Sequence, residues 1–131
     1  MPLTTILPSL AGLFLVLFCA FTVFSADRRM RGVWMLPAAL SLTFLAFSAY
    51  TGVVEGPLGF WVEHTRNLWG NQIWFDLLMS TSIGWLFMVP QARVVGMRLP
   101  VWLVLVVSTG NIGFMAMLAR MLWLREQSAK Y

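Results

Sequence analysis

Four long apolar stretches separated by short polar segments dominate the sequence. They cover about residues 7–25, 33–54, 72–90 and 101–120. A helix needs about 20 predominantly apolar residues to cross a hydrocarbon core of about 30 Å, and each stretch is close to that length. The pattern therefore predicts an all-α fold, an integral membrane four-helix bundle that forms a single domain over residues 1–131.

Two of the polar segments are short and basic. The first, Asp27–Gly32, carries three arginines, and the second, Gln91–Leu99, carries two; the set is Arg28, Arg29, Arg31, Arg93 and Arg98. Because positive loops favour the cytoplasmic side, we predict that both loops are cytoplasmic and both termini lie outside. The other side would carry Arg66, Arg120, Arg125 and Lys130. Five basic residues against four is a small bias, so insertion in both orientations stays open.

The longest connection, Glu55–Asn71, has a different character. Gly56, Pro57 and Gly59 interrupt helix at its start. Apolar and polar side chains then alternate loosely, which is typical of a segment lying in the headgroup region. We therefore predict a short interfacial helix or cap within residues 57–67.

Composition sets the environment. Hydrophobic residues make up 60% of the chain and charged residues 11%, less than half of the roughly 25% usual in soluble domains. Lipid is therefore the expected solvent, and a bacterial inner membrane the expected location. The single cysteine, Cys19, excludes an intramolecular disulfide and a CxxC redox pair. The net charge of +4 is spread along the chain, which favours membrane lipids and other membrane chains as partners and not nucleic acid.

Asp76 is the costliest residue in the predicted spans. A carboxylate within a span costs about 2.5–3.5 kcal/mol and normally faces the bundle interior or water. Asp76, Ser80 and Gly84 recur at helical spacing, which predicts one inward face. Arg120, near the end of the fourth stretch, is the expected ion-pair partner. Asp76 is alternatively a functional acid that binds a ligand, carries a proton or takes part in chemistry.

Further polar and aromatic residues complete a candidate cluster near the outer mouth of the bundle. Asn111 lies within the fourth stretch, where it is either interhelical hydrogen-bonding glue or the lining of a ligand cavity. Asn67, Asn71 and Trp74 flank the start of the third stretch. His64 is either a solvated interfacial histidine or an acid–base partner of Asp76. One histidine and its neighbouring acids do not make a metal site, so no metal is predicted.

Aromatic and sulfur-containing side chains are numerous. The chain has seven tryptophans, ten phenylalanines and nine methionines. Most of them suit interface belts and helix packing. They would also suit a pocket for a flat apolar molecule such as a pigment, quinone or isoprenoid. The sequence specifies no cofactor, and a single interfacial histidine does not favour haem.

The second half of the chain resembles a family of small bacterial four-span membrane proteins of unknown function. The resemblance rests on Asp76-Leu77 followed by Ser80, and on Ala92-Arg93 followed by Gly96-Met97-Arg98. A last span that contains Gly110 and Gly113 and ends between Arg120 and Arg125 completes it. The resemblance implies a four-span fold and supplies no activity.

Three functions follow as expectations. The first is a non-enzymatic accessory or interaction subunit of a larger membrane assembly, with a surface for lipid, pigment or another apolar molecule. The second is an intramembrane enzyme that acts on an isoprenoid-like or lipid-like substrate and uses Asp76 with His64 or Asn111. The third is a small dimeric transporter or channel. The partner chains are expected to be either copies of this chain or different chains.

Overall fold

The computed structural model describes residues 2–24 and 31–129, and every regular element in these ranges is a helix. The six helices are α1 Leu3–Phe24, α2 Met35–Glu55, α3 Gly59–Thr65, α4 Leu68–Val94, α5 Leu99–Thr109 and α6 Asn111–Ser128. The predicted all-α class is therefore confirmed. The chain divides into two compact units, residues 1–30 and residues 31–131, and each is described separately.

Helix α1 makes up nearly all of the described part of the first unit. It has 22 residues, contains Pro8 near its start and has no charged side chain. A helix of this length extends about 33 Å. It is long and apolar enough to cross a membrane, and it covers most of the first predicted span.

Helices α2 and α4 meet the same criterion in the second unit. Helix α4 is longer than the third predicted span, because it begins at Leu68 and continues past Pro90 to Val94. The connection to α5 is therefore shorter than the sequence suggests. The predicted short helix in the long connection is confirmed as α3.

The fourth predicted span is wrong as a continuous helix. Residues 101–120 are divided between α5, which ends at Thr109, and α6, which begins at Asn111. The Cβ of an alanine at position 113 would lie 2.6 Å from the carbonyl oxygen of Leu105. In a straight helix these two residues would be about 12 Å apart along the axis, so α6 folds back along α5 as a hairpin.

Local chemistry explains this reversal. Gly110 has φ 61° and ψ −128°, a conformation that glycine adopts at little steric cost. The Thr109 hydroxyl accepts a hydrogen bond from Gly113 N at 2.9 Å and donates one to Leu105 O at 2.6 Å. It thereby ties the start of α6 to the last turn of α5. Because Gly113 has no side chain, the two helices can approach closely at the turn.

The core of this unit lies between the hairpin and the C-terminal half of α4. Its buried side chains are Met88, Ala92, Val106, Met117 and Met121. Trp85, Trp102 and Phe114 pack around them from α4, α5 and α6. Helix α2 joins through Ser41, whose hydroxyl donates to Ile112 O at 2.8 Å.

The hairpin brings the end of α6 next to the start of α2 and the end of α4. Gly32 N donates to Glu126 Oε2 at 2.9 Å, and Arg125 Nη1 donates to Gln91 Oε1 at 2.9 Å. A continuous fourth helix would have carried Arg125 to the opposite end of the unit. The end of α6 instead lies beside the α4–α5 connection, which differs from the placement expected for four spans.

Candidate functional site

Helix α3 docks on the first turns of α4 through backbone contacts. Gly70 is buried, and a Cβ at this position would overlap with Glu63 O. Asn67 Oδ1 accepts from Gly70 N at 2.8 Å and so caps the start of α4. Asn71 Nδ2 donates to His64 O at 2.7 Å. Of the two asparagines predicted for the site, Asn67 therefore caps α4 and Asn71 ties α3 to it.

Trp74 is the centre of an aromatic cluster between these helices. The ring centroids of His64, Phe60 and Trp61 lie 4.9, 6.4 and 6.5 Å from that of Trp74. Trp61 meets it edge to face, an arrangement favoured for aromatic pairs. The aromatic residues of the amphipathic segment thus pack on α4, and His64 is part of that packing.

An open cleft of about 280 Å³ lies beside the cluster. Its lining residues are Glu63, His64, Arg66, Asn67, Trp69, Gly70 and Ile73. Arg66 Nη1 contacts both carboxylate oxygens of Glu63, at 2.9 and 3.2 Å. Both side chains of this pair are more than half exposed, so the pair adds at most about 1 kcal/mol to stability. The cleft offers both signs of charge next to tryptophan.

Helix α4 has two distinct faces. Its covered face consists of buried or half-buried residues, namely Gly70, Trp74, Leu77, Thr81, Gly84, Met88 and Ala92. Most of the remaining helix is exposed, and one stripe of it, which we call the outer face, comprises Trp69, Ile73, Asp76, Ser80, Ile83 and Phe87. Both sets follow steps of three and four residues, so each forms a stripe along the helix. At the N-terminal end of the outer face, Trp69 and Ile73 also line the cleft.

Asp76 and Ser80 lie on the outer face, and their predicted inward orientation is therefore wrong within this unit. Of the three residues expected to share an inward face, Gly84 alone is covered, by Phe114 of α6. Along the axis, Asp76 is about 12 Å beyond Gly84. The hairpin turns back before it could cover that part of α4.

Arg120 does not pair with Asp76. Within residues 2–24 and 31–129, Glu63 and Arg66 form the one ion pair. Arg120 is exposed on α6, and its Cζ lies 4.6 Å from the ring centroid of Trp123, a cation–π distance. The pairing of Asp76 with Arg120 was predicted for a continuous helix over residues 101–120. It is absent because α6 runs in the opposite direction to that helix.

Asn111 occupies the first position of α6, directly after the turn at Gly110, and is half-buried. Ser108, three residues earlier, donates to the carbonyl oxygens of Val104 and Leu105 in its own helix. Among the described residues no hydrogen bond joins Asn111, His64 or Asp76 to one another. The same ranges hold no group of three or more His, Cys, Asp or Glu that could bind a metal ion.

Sequence reasoning missed the hydrogen bonds that hold the hairpin against its neighbours. Ser41, Gln91 and Glu126 each bond to a residue of a different helix or loop. The signal that could have revealed this arrangement is the succession of Ser108, Thr109, Gly110 and Asn111, all common turn residues. It was outweighed by the apolar residues on both sides.

Comparison with protein-family models, with curated proteins and with solved structures finds no match for this chain. Its function is therefore argued from the geometry of α3, α4 and the α5–α6 hairpin.

Proposed function

We propose that this chain is a small integral membrane protein that acts as a non-enzymatic interaction subunit, and that the outer face of α4 contacts another membrane protein chain. The membrane location is supported by three helices, each of which is long and apolar enough to span a membrane. The single observation that carries the interaction role is the exposed carboxylate of Asp76 on that face.

Asp76 lies in an energetically unfavourable environment if the outer face of α4 meets lipid. A carboxylate facing lipid costs about 2.5–3.5 kcal/mol. No ion pair or side-chain hydrogen bond to Asp76 is present in the described ranges. A helix of another chain that offers a hydrogen-bond donor or a cation would remove that cost. The outer face also has the three-and-four spacing that lets two helices interlock.

The turn at Gly110 supports the same proposal. Helix α5 has 11 residues and is therefore about 16 Å long, about half of a hydrocarbon core of 30 Å. The turn would lie near the middle of the bilayer. Irregular backbone at that depth is tolerated where it is covered by protein or faces water. A neighbouring chain would cover the backbone of this turn and shield it from lipid.

The alternative of an intramembrane enzyme receives no comparable support. His64 makes a tilted contact with Trp74, and Asp76 lies on the outer face of α4, so the two do not form an acid–base pair. The resemblance to a family of unknown function adds no activity. A dimeric transporter remains a competing function if the partner at the outer face is a second copy of this chain.

Photocrosslinking in the native membrane tests the proposal. A benzophenone amino acid replaces Ile83 on the outer face or, as a control, Val104, which is 67% exposed on α5. We expect a protein adduct from position 83, none from position 104, and loss of the adduct in Asp76→Ala. The Glu63→Gln variant should keep it. An adduct that survives Asp76→Ala, or crosslinks to lipid alone at position 83, would refute the interaction role. Mass spectrometry of the adduct distinguishes a second copy from a different protein.

A further inference from the structure

Nearly all the arginines that the structure describes lie at one end of residues 31–129. Arg93 is in the last turn of α4, Arg98 is the N-cap of α5 and Arg125 bonds to Gln91. Arg31 precedes Gly32, whose backbone N–H donates to Glu126. We call this end the arginine end; it comprises Arg31, Arg93, Arg98, Arg120 and Arg125, all of them exposed.

Acidic residues have the opposite distribution in the same ranges. Glu126 is the one acid at the arginine end, and its carboxylate accepts the Gly32 hydrogen bond. Glu55 ends α2, Glu63 lies on α3 and Asp76 is in the N-terminal third of α4. Arg66, the remaining described arginine, is there too and is paired with Glu63. The unit is therefore electropositive at one end and mildly acidic at the other.

The α5–α6 hairpin produces this separation. With one continuous helix over residues 101–120, Arg120 and Arg125 would lie at the far end, and the two ends would carry similar positive charge. Because α6 returns, Arg125 contacts Gln91 at the end of α4. The excess of arginines at one end, which determines membrane orientation, is thus larger with the hairpin than with a continuous fourth helix.

We infer that the arginine end is a docking surface for the anionic phospholipid headgroups of the cytoplasmic leaflet, and that the hairpin enters the bilayer from that side and returns to it. The C-terminal end of α6 then lies at the cytoplasmic surface. Guanidinium groups bind phosphate through paired, charge-assisted hydrogen bonds, and the cytoplasmic leaflet carries a negative surface potential. The inference rests on the membrane location in the proposed function and is independent of the partner at the outer face of α4.

Lipid preference provides the first test. The purified full chain is reconstituted in phosphatidylcholine vesicles containing brominated phosphatidylglycerol or brominated phosphatidylcholine, and tryptophan quenching gives the relative binding constant. We expect a preference for phosphatidylglycerol that falls as salt is raised. The triple variant Arg31→Gln, Arg93→Gln, Arg98→Gln should lower it by about fivefold for each arginine removed. Arg66→Gln is the control at the opposite end and should leave it unchanged.

Arg125 is kept in these variants because it bonds to Gln91. Equal binding of the two lipids by the wild type, or a preference that is insensitive to salt, would overturn the inference. The same holds for a triple variant that retains the full preference. If the triple variant does not reconstitute, the three single variants and the salt titration of the wild type decide.

Sidedness provides the second test. In a Cys19→Ala background, Ala129→Cys and Leu58→Cys are labelled with a membrane-impermeant maleimide. We expect Ala129→Cys to react only after the cells are permeabilised and Leu58→Cys to react in intact cells. Labelling of Ala129→Cys in intact cells would overturn the inference while leaving the interaction role intact. Extraction of the protein from membranes by alkaline carbonate would instead contradict the membrane location on which both proposals rest.

Discussion

The two halves of residues 31–129 are packed in different ways. At the arginine end, α4, α5 and α6 surround Met88, Met117 and Met121, which are 5%, 0% and 2% exposed. In the other half, α4 is covered at its start by the short helix α3, while Asp76 remains exposed. The difference follows from the hairpin, which is too short to accompany α4 along its full length.

The two halves therefore differ in whether their polar and apolar groups are covered by the chain itself. One half has its own core and satisfies its interhelical hydrogen bonds internally. The other half presents a carboxylate, a cleft and a striped outer face that nothing in the unit covers. A soluble protein would expose such a surface to water. The hydrocarbon chains of a bilayer cannot donate hydrogen bonds to Asp76, which is why we propose a partner chain for this surface.

The largest effect is expected from the core at the arginine end. Met117→Ala removes the most completely buried large side chain and leaves a cavity between α4, α5 and α6. Such substitutions lower the free energy of unfolding by about 2–5 kcal/mol. The matched control is Met79→Ala, because Met79 is 59% exposed on α4, and its effect should stay within about 0.5 kcal/mol. Denaturant unfolding in detergent measures both, and equal losses would mean that the two halves do not differ in packing.

The docking of α3 should respond more weakly and locally. Gly70→Ala places a methyl group against Glu63 O and within 3.2 Å of the His64 carbonyl. Overpacking of this kind costs about 1–3 kcal/mol, and here the strain can be relieved by moving α3 away from α4. We expect faster amide hydrogen exchange across residues 59–65 with little change in the core helices.

Gly59→Ala is the control for that experiment, because its nearest neighbour would be Glu55 Cβ at 4.0 Å. Its exchange rates should match those of the wild type. Uniformly faster exchange throughout residues 31–129 in Gly70→Ala would show that α3 and the core form one cooperative unit, contrary to the contrast drawn above.

Much of the fold could be predicted from local signals. Long apolar runs predict α2 and α4, and the succession Gly56, Pro57 and Gly59 followed by aromatic residues predicts a short helix in the connection. These features depend on residues that are adjacent in sequence, so no knowledge of the neighbours is needed. Asn67 and Trp74 stand out in the sequence as polar and aromatic candidates, but their roles in capping α4 and packing against α3 were not predicted.

The hairpin and the orientation of Asp76 could not be predicted in the same way. The run from Val101 to Ala119 is equally apolar whether it forms one straight helix or turns back at Gly110. Glycine does not distinguish the two cases, because it is common in membrane helices. Helical spacing groups Asp76 with Ser80, but it does not reveal which face of α4 meets its neighbours. That depends on where α6 lies, and hence on the turn. The unrecognised turn at Gly110 therefore accounts for three wrong predictions. These are the continuous helix over residues 101–120, the Asp76–Arg120 ion pair and the inward orientation of Asp76.

The smallest expected effect concerns the bond that ties α2 to the hairpin. Ser41 is 7% exposed, and its hydroxyl donates to Ile112 O across the helix interface. Hydrogen bonds between membrane helices contribute about 0.6 kcal/mol on average, so Ser41→Ala should lower the free energy of unfolding by roughly that amount. Ser82→Ala is a matched control, because the Ser82 hydroxyl bonds to Leu78 O in its own helix and is exposed. Its loss should be close to zero, since it leaves no partner in another helix unsatisfied. If the two variants lose the same stability, the Ser41 bond does not help to hold α2 against α6, and side-chain packing alone holds these two helices together.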